Sequence, residues 1–281
     1  MFDTGRRQAT RQGARFLPVG MALDRVFGRP RSAAIVAVML ILAAGSVGGL
    51  DRSDLLFYAS LDGRLCADFS RGSLEPVNGV AGLVFASGVR GQGVIARQQV
   101  TWDGAQNIGG AEGTLAFWLQ PVDWSSPDGK SHPFAWLLAT GGRVRLYQFY
   151  PGQLGMHMQS RQGTRTCWTS ARLEAGTFYH LAFTWRDHEW GLYFNGRRVC
   201  LETETWVPFG EIRSFALGPD ATVFDEVMVF GRALRPEEIS ALVRRVMPTP
   251  GLGDQPGPQP APGVRLAATR QARVVNPRGI P

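Results

Sequence analysis

Residues 178–185, Phe-Tyr-His-Leu-Ala-Phe-Thr-Trp, alternate strictly, and this run constrains the chain more than any other. Tyr179, Leu181, Phe183 and Trp185 fall on one side, and Phe178, His180, Ala182 and Thr184 fall on the other. Successive side chains of an extended chain point to opposite faces, so period two means a strand. Both faces are largely apolar, which requires a sheet covered on both sides or curved around a core. A tight turn at Asp187–His188–Glu189 leads into Glu-Trp-Gly-Leu-Tyr-Phe. The following Asn195–Gly196 signals a hairpin, because both residues tolerate positive φ. One helix is signalled, near residue 236. Pro236 suits its first position, Glu237 and Glu238 complement the positive end of its dipole, and Arg244 and Arg245 the negative end. Ile239, Leu242, Val243 and Val246 form its apolar stripe.

Other segments extend the pattern over residues 55–246. Leu-Leu-Phe-Tyr-Ala-Ser-Leu-Asp-Gly (55–63) is followed by Cys-Ala-Asp-Phe-Ser, with acids at Asp62 and Asp68. Gly-Val-Arg-Gly-Gln-Gly-Val (88–94) precedes Gly-Thr-Leu-Ala-Phe-Trp-Leu-Gln-Pro (113–121), and Phe-Asp-Glu-Val (224–227) leads to Arg-Ala-Leu before the helix. In this order the motifs resemble the laminin-G-like, concanavalin A-like lectin/glucanase jelly-roll family. Three positions depart from its pattern: Phe178 replaces a usual Trp, Asp187 lies one place beyond the usual Asp, and Asn195 replaces a common Asp. The resemblance implies an all-β, concanavalin A-like jelly-roll sandwich of two antiparallel sheets with a short C-terminal helix. It also implies a domain that binds rather than catalyses.

The net charge of +7 at first suggests nucleic acid, but its distribution removes the suggestion. Residues 1–32 carry seven Arg against Asp3 and Asp24, and residues 247–281 carry four Arg against Asp254. Residues 33–246 hold 19 basic and 20 acidic residues, so the fold itself has no basic footprint. No zinc-finger or RNA-recognition spacing occurs, and we expect no nucleic-acid partner. The basic arm 1–32 precedes an uncharged apolar stretch at 33–50, which as a helix rises about 27 Å, nearly a hydrocarbon core. Two readings stay open: a transmembrane anchor with its N-terminus in the cytoplasm, or a signal peptide cut near Ser46, with Met21 as an alternative start. Both put the jelly-roll domain, 51–246, outside the cytoplasm, membrane-anchored or secreted. Residues 247–281 are rich in Pro and Gly and read as a disordered basic tail.

Three cysteines accompany this organisation. Cys167 and Cys200 lie in strand-like runs able to neighbour one another, so a Cys167–Cys200 disulfide is one reading and three small buried apolar residues the other. Cys66 is left over in the first. Retaining glycoside hydrolysis needs two carboxyls about 5–5.5 Å apart. The Glu-x-Asp-x-x-Glu strand motif of such enzymes in this fold is absent, and Glu202 with Glu204 reads as an exposed strand face. Asp225 and Glu226 are consecutive, and as regular strand residues they face opposite sides. The four histidines show no metal spacing, with His180 read as a core or second-layer residue with a satisfied ring nitrogen. We therefore expect no enzyme.

The resemblance implies one cofactor, a structural calcium between the first and last strands. Asp62 and Asp225 are its candidate ligands, with Asp68 third, since hard cations take carboxylate oxygens. For a ligand site the candidates are Trp124, Tyr147, Tyr150, Trp168, Trp190 and Trp206, although most buried aromatics serve packing. The polar segment 124–133 reads as a mobile loop at one end of the sandwich. The expected function is an extracytoplasmic module that recognises a glycan or a cell-surface protein. The alternative is a structural or adhesive cell-envelope protein making protein–protein contacts, and a glycoside hydrolase-like enzyme comes third.

Overall fold

The computed structural model of the chain describes residues 50–78, 83–150, 152–203 and 210–246. The basic arm, nearly all of the apolar segment 33–50, Trp206, Glu204 and the Pro/Gly-rich tail lie outside them. Among the described residues no helix is long and apolar enough to cross a membrane.

The chain opens with β1 (Leu55–Ala59), β2 (Phe69–Ser70), β3 (Val84–Ser87), β4 (Gln92–Ile95) and β5 (Val100–Asp103). Longer strands follow: β6 (Glu112–Pro121), β7 (His132–Ala139), β8 (Gly142–Phe149), β9 (Gln153–Ser160) and β10 (Gly163–Ser170). The last are β11 (Tyr179–Arg186), β12 (Glu189–Phe194), β13 (Arg197–Thr203), β14 (Ile212–Leu217) and β15 (Thr222–Phe230), before helix α1 (Pro236–Val246). They form two antiparallel sheets. Nine strands run β13-β12-β11-β6-β15-β1-β2, with the β3–β4 hairpin attached to β15, and six run β10-β9-β8-β7-β14-β5.

The strictly alternating segment becomes β11, and its register explains why both of its faces are apolar. Leu181 opposes Phe117 and Phe183 opposes Leu115 on β6, all four pointing into the space between the sheets. There they meet Phe134, Leu137, Leu146, Met156 and Phe215 of the six-stranded sheet. Phe57, Trp102 and Phe215 pack ring against ring across the core with centroids 5.0–5.6 Å apart. Each fully buried side chain of this size contributes roughly 1.5–3 kcal/mol of hydrophobic stabilisation.

The other face of the nine-stranded sheet is covered by a second apolar layer. Tyr58, Ala116, Ala182, Tyr193, Met228 and Phe230 pack beneath Leu50, Leu234, Ile239 and Leu242, while Trp118 packs with Val243, Val246 and Phe178. α1 therefore buries the stripe expected of it, starting at Pro236. Glu238 fastens its first turn: its carboxylate accepts from the Arg235 N–H at 2.8 Å, the half of a capping box that satisfies an exposed donor. The same carboxylate takes both terminal nitrogens of Arg232, at 2.7 and 2.9 Å, and Arg232 Nε donates to Asp54 at 2.7 Å. The Asn195–Gly196 turn, with φ of 47° and 79°, passes directly below the helix, where Ser240 Oγ donates to the Gly196 carbonyl.

No such layer covers the six-stranded sheet among the described residues. Its strands alternate cleanly, with Val144, Leu146 and Gln148 inward and Arg143, Arg145, Tyr147 and Phe149 outward on β8. One edge of each sheet is tied to the other covalently. Cys167 on β10 and Cys200 on β13 form a disulfide with Cα atoms 6.2 Å apart, and Cys66 is free.

Candidate functional site

The open face of the six-stranded sheet gathers side chains that a purely structural surface does not need. Strand register sets its rows. Trp136 on β7 opposes Arg145 on β8, which opposes His157 on β9, which opposes Thr166 on β10. In the next row Tyr147 opposes Gly155, which opposes Trp168. Adjacent strands lie about 4.8 Å apart, so Tyr147 and Trp168 stand about 10 Å from one another across a position with no side chain. By strand spacing the missing side chain makes a furrow over Gly155 between the two aromatic residues. It is tight on its β10 side, where an added Cβ would meet the Cys167 carbonyl oxygen and Trp168 Cβ. Trp168 is 38% exposed and Tyr150, at the end of the same face, 55%. Phe149 stacks obliquely against Tyr150 at 4.5 Å and edge-on to Tyr147 at 5.7 Å, so the aromatic surface is continuous from Tyr147 outward.

The Arg145 guanidinium lies over the rings of Trp136 at 5.2 Å and Tyr147 at 5.9 Å, a cation–π arrangement. Trp136 is itself fixed by its indole N–H, which donates to the Gly218 carbonyl at 3.1 Å. His157 is held below the usual histidine range, first by burial and then by Arg145 and Arg143, so its ring is neutral at pH 7. Its Nδ1 lies 3.2 Å from Thr166 Oγ1. Aromatic faces for stacking, beside hydroxyl, imidazole and guanidinium groups for hydrogen bonds, suit a polyhydroxylated ligand.

The remaining aromatic candidates do not join this face. Trp124 is buried, stacked on His132 with centroids 3.6 Å apart, its indole N–H donating to the Ala221 carbonyl. His132 in turn lies 2.8 Å from Asp220 and 3.1 Å from Asp128. Segment 124–133, expected to be a mobile loop, is thus pinned at both ends by a stack and two carboxylates. Trp190 is core, packed on Phe183, and Trp206 lies outside the described residues. Trp136 and Arg145 were missed. The signal that locates them is the polar–apolar alternation of β8 and β9, which marks one face as solvated.

A second constellation lies at the opposite sheet, where β15 changes partners. Val223 and Phe224 pair with β4, while Val227 to Phe230 pair with β1. Asp225 and Glu226 fall in the gap, beside a bulge of one extra residue, since Asp225 pairs with Trp118 and Met228 with Ala116 on β6, and Glu226 takes φ of 50°. The bulge overturns the expectation that their side chains face opposite ways. Both carboxyls are buried, Glu226 adds negative charge to the surroundings of Asp225, and Asp62 adds to both. Burial first, then Glu226 and Asp62, push Asp225 up to about 8, against the N–H donors of Arg90 and Glu226. Burial likewise pushes Glu226 up to about 7, against a 3.0 Å hydrogen bond from the Tyr58 hydroxyl.

The β3–β4 turn closes over this cluster. The Arg90 N–H donates to Asp225 Oδ2 at 3.0 Å and the Gln92 N–H to Asp62 Oδ1 at 2.6 Å. A Cβ on Gly88 would strike Asp225 Oδ2, and one on Gly91, whose φ is 49°, would strike Asp62 Oδ1. Asp68 is already engaged, accepting from the Ser60 N–H at 2.7 Å and pairing with Arg64. Asp62, Asp68 and Asp225 do not close into one tight ligand set; among the described residues the group of three ligand atoms all within 4.8 Å is Cys167, Cys200 and Glu202. Glu226, which sequence reasoning passed over, keeps a buried Oε2 with no hydrogen-bond partner beside Asp225 and Asp62.

His180 is packed as read, with one ring nitrogen left over. It is buried under α1 and edge-on to Trp118 at 5.2 Å, but its Nδ1 has no partner, and burial lowers its pKa to about 3.

An antiparallel two-sheet sandwich is the architecture of the concanavalin A-like proteins. The sequence matches the family model of the concanavalin A-like lectin/glucanases superfamily over residues 95–240, more than half of the chain, and the protein belongs to that family. No curated protein matches the sequence. Domain 4 of AbnA, a GH43 extracellular arabinanase from Geobacillus stearothermophilus solved in complex with arabinotriose, is similar with a TM-score of 0.56 at 20% identity. The match covers 68% of this chain and 98% of that one. The botulinum neurotoxin serotype D binding domain matches with a TM-score of 0.58 at 10% identity, over 73% of this chain and 52% of that one. Trypanosoma rangeli sialidase in complex with 2,3-difluorosialic acid gives 0.53 at 16%, over 74% and 36%. The chain thus spans about half of the toxin domain and about a third of the sialidase, and at these identities the likeness concerns the fold alone.

Proposed function

We propose that the protein is a non-catalytic glycan-binding module that works outside the cytoplasm. The observation that carries this reading is the uncovered six-stranded sheet, with Tyr147 and Trp168 flanking the Gly155 furrow. The domain 4 neighbour, solved with arabinotriose, supports the same reading by analogy of fold. The non-catalytic part is supported by accessibility. Among the described residues, the acids whose pKa values are raised, Asp225 and Glu226, are buried behind the β3–β4 turn, away from the open face. The extracytoplasmic part is supported by the Cys167–Cys200 disulfide, a bond that persists in oxidising compartments, and it accommodates either a tethered or a secreted form.

Calcium belongs to the proposal as a structural ion at the acidic cluster, with Asp62, Asp225 and Glu226 as its holders. The donor chemistry suits a hard cation, with carboxylates that burial keeps protonated, one oxygen without a partner and two glycines packed against the acids. Asp62, Asp225 and Glu226 do not stand within 4.8 Å of one another, however, and would have to draw together around the ion. When bound, a calcium ion would supply the positive charge that lets these acids ionise together. The chain's own contribution is to hold the carboxylates under the β3–β4 turn and join β1, β4 and β15 at one point.

The test is calorimetric titration of the protein with a broad panel of oligosaccharides, repeated with Trp168→Ala and Tyr147→Ala. Binding that falls about tenfold or more in both variants, with unchanged thermal unfolding, places the ligand in the furrow. Binding untouched by either substitution removes this face from the site.

A further inference from the structure

We infer that the ligand of the open face is an acidic oligosaccharide whose carboxylate is received by Arg145; the inference rests on the glycan-binding reading above. Arg145 stands at the centre of the face, and its Nε is buried without a hydrogen-bond partner. Among the described residues no carboxylate pairs with it. The row it shares, Trp136–Arg145–His157–Thr166, contains no acid, and neither does the neighbouring Tyr147–Gly155–Trp168 row. One row further on, Asp103 occupies the far edge strand and accepts from the Ala105 N–H. Arg143 in that row spends its Nε on Gln159.

Two aromatic rings hold the guanidinium from the side but accept its donors poorly. Its planar fork is therefore oriented in advance, charged, and still able to form two parallel hydrogen bonds with a carboxylate. Its charge already acts across the patch, lowering the proton affinity of His157 on the adjacent strand. The furrow beside Gly155 is within reach of the same side chain, one residue pair along β8. A uronic-acid residue stacked on Tyr147 or Trp168 would present its ring to the aromatic wall and its carboxylate to Arg145. A neutral sugar uses the wall and leaves the guanidinium unsatisfied.

The experiment titrates the full-length protein with oligogalacturonate, oligomannuronate and hyaluronan oligosaccharides, each beside its neutral methyl ester. At least one acid should bind about tenfold or more tightly than its ester, and that preference should shrink as salt is raised. Arg145→Gln should erase the preference while leaving the weak ester binding in place, and Arg145→Lys should keep part of it. Thermal unfolding of both variants guards against a folding defect, and the lysine variant retains the charge if glutamine unfolds the sheet. Acid and ester binding equally, with both lost in Trp168→Ala, would overturn the acidic ligand and leave the sugar reading standing. No saccharide binding at all would overturn both.

Discussion

Asp225 and Glu226, consecutive in the last strand, place both carboxyls in one buried acidic cluster because Glu226 adopts φ of 50° inside a bulge. A regular strand would have sent one to each face. The arrangement has a measurable consequence for stability.

The folded protein holds protons on these acids at pH values where the unfolded chain has released them. Their folded pKa values, about 8 and about 7, lie above the ordinary carboxylate range. Between about pH 4 and pH 8 the native state therefore binds more protons, and the contribution of the pair to stability falls as pH rises. Asp225→Asn removes one titrating group. The difference in Tm between variant and native protein should shift in the variant's favour from pH 5 to pH 8, a comparison that cancels His180 and His132. A pH-independent difference would show that the pair is ionised throughout. In the native protein, calcium added at pH 8 should raise Tm and a chelator should reverse the rise.

Gly91→Ala tests the turn that covers the cluster. The new methyl group meets Asp62 Oδ1, and the backbone there is in the left-handed region. We expect a loss of about 1–3 kcal/mol in denaturant unfolding. Gly129→Ala, also at positive φ but with nothing near its Cβ, should cost less.

The disulfide joins edge strands of different sheets across 33 residues of chain. Closing a loop of that length stabilises by about 4 kcal/mol in the chain-entropy model. Cys200→Ser should lower stability by about 2–4 kcal/mol, and reductant should bring the native protein down to the same level. Under denaturing, non-reducing conditions, alkylation should add one label, at Cys66; three labels would mean that the bond does not form.

Glu238→Gln addresses the docking of α1. Burial alone would raise the pKa of Glu238, but Arg232 and the Arg235 N–H hold it below its ordinary value, so its contribution is present at neutral pH and lost on acidification. The substitution leaves Arg232 with a weaker acceptor and should cost about 2–3 kcal/mol by chemical denaturation. The difference between the two proteins should narrow as pH falls below the ordinary glutamate range.

Much of this architecture is written locally. The alternation of residues 178–185, the Asn195–Gly196 turn and the spacing of Ile239, Leu242, Val243 and Val246 each carry their own periodicity, and each appears as read. The site was harder because it depends on register. Trp124 and Trp190 are as aromatic as Trp168, but strand pairing turns Trp190 inward and the stack on His132 with the bond to the Ala221 carbonyl buries Trp124. A bulge between Pro133 and Ala135 on β7 further hides the phase of Trp136. Glu226 was invisible for the same reason: one residue at positive φ reverses the face of an acid, and nothing in Phe-Asp-Glu-Val announces it.

Leu50 and Val246, where the described domain begins and ends, both sit in the apolar layer beneath and beside α1. That layer lies on the back of the nine-stranded sheet, a full sandwich thickness from Tyr147, Arg145 and Trp168. The described residues therefore begin and end on the side of the sandwich opposite its open face.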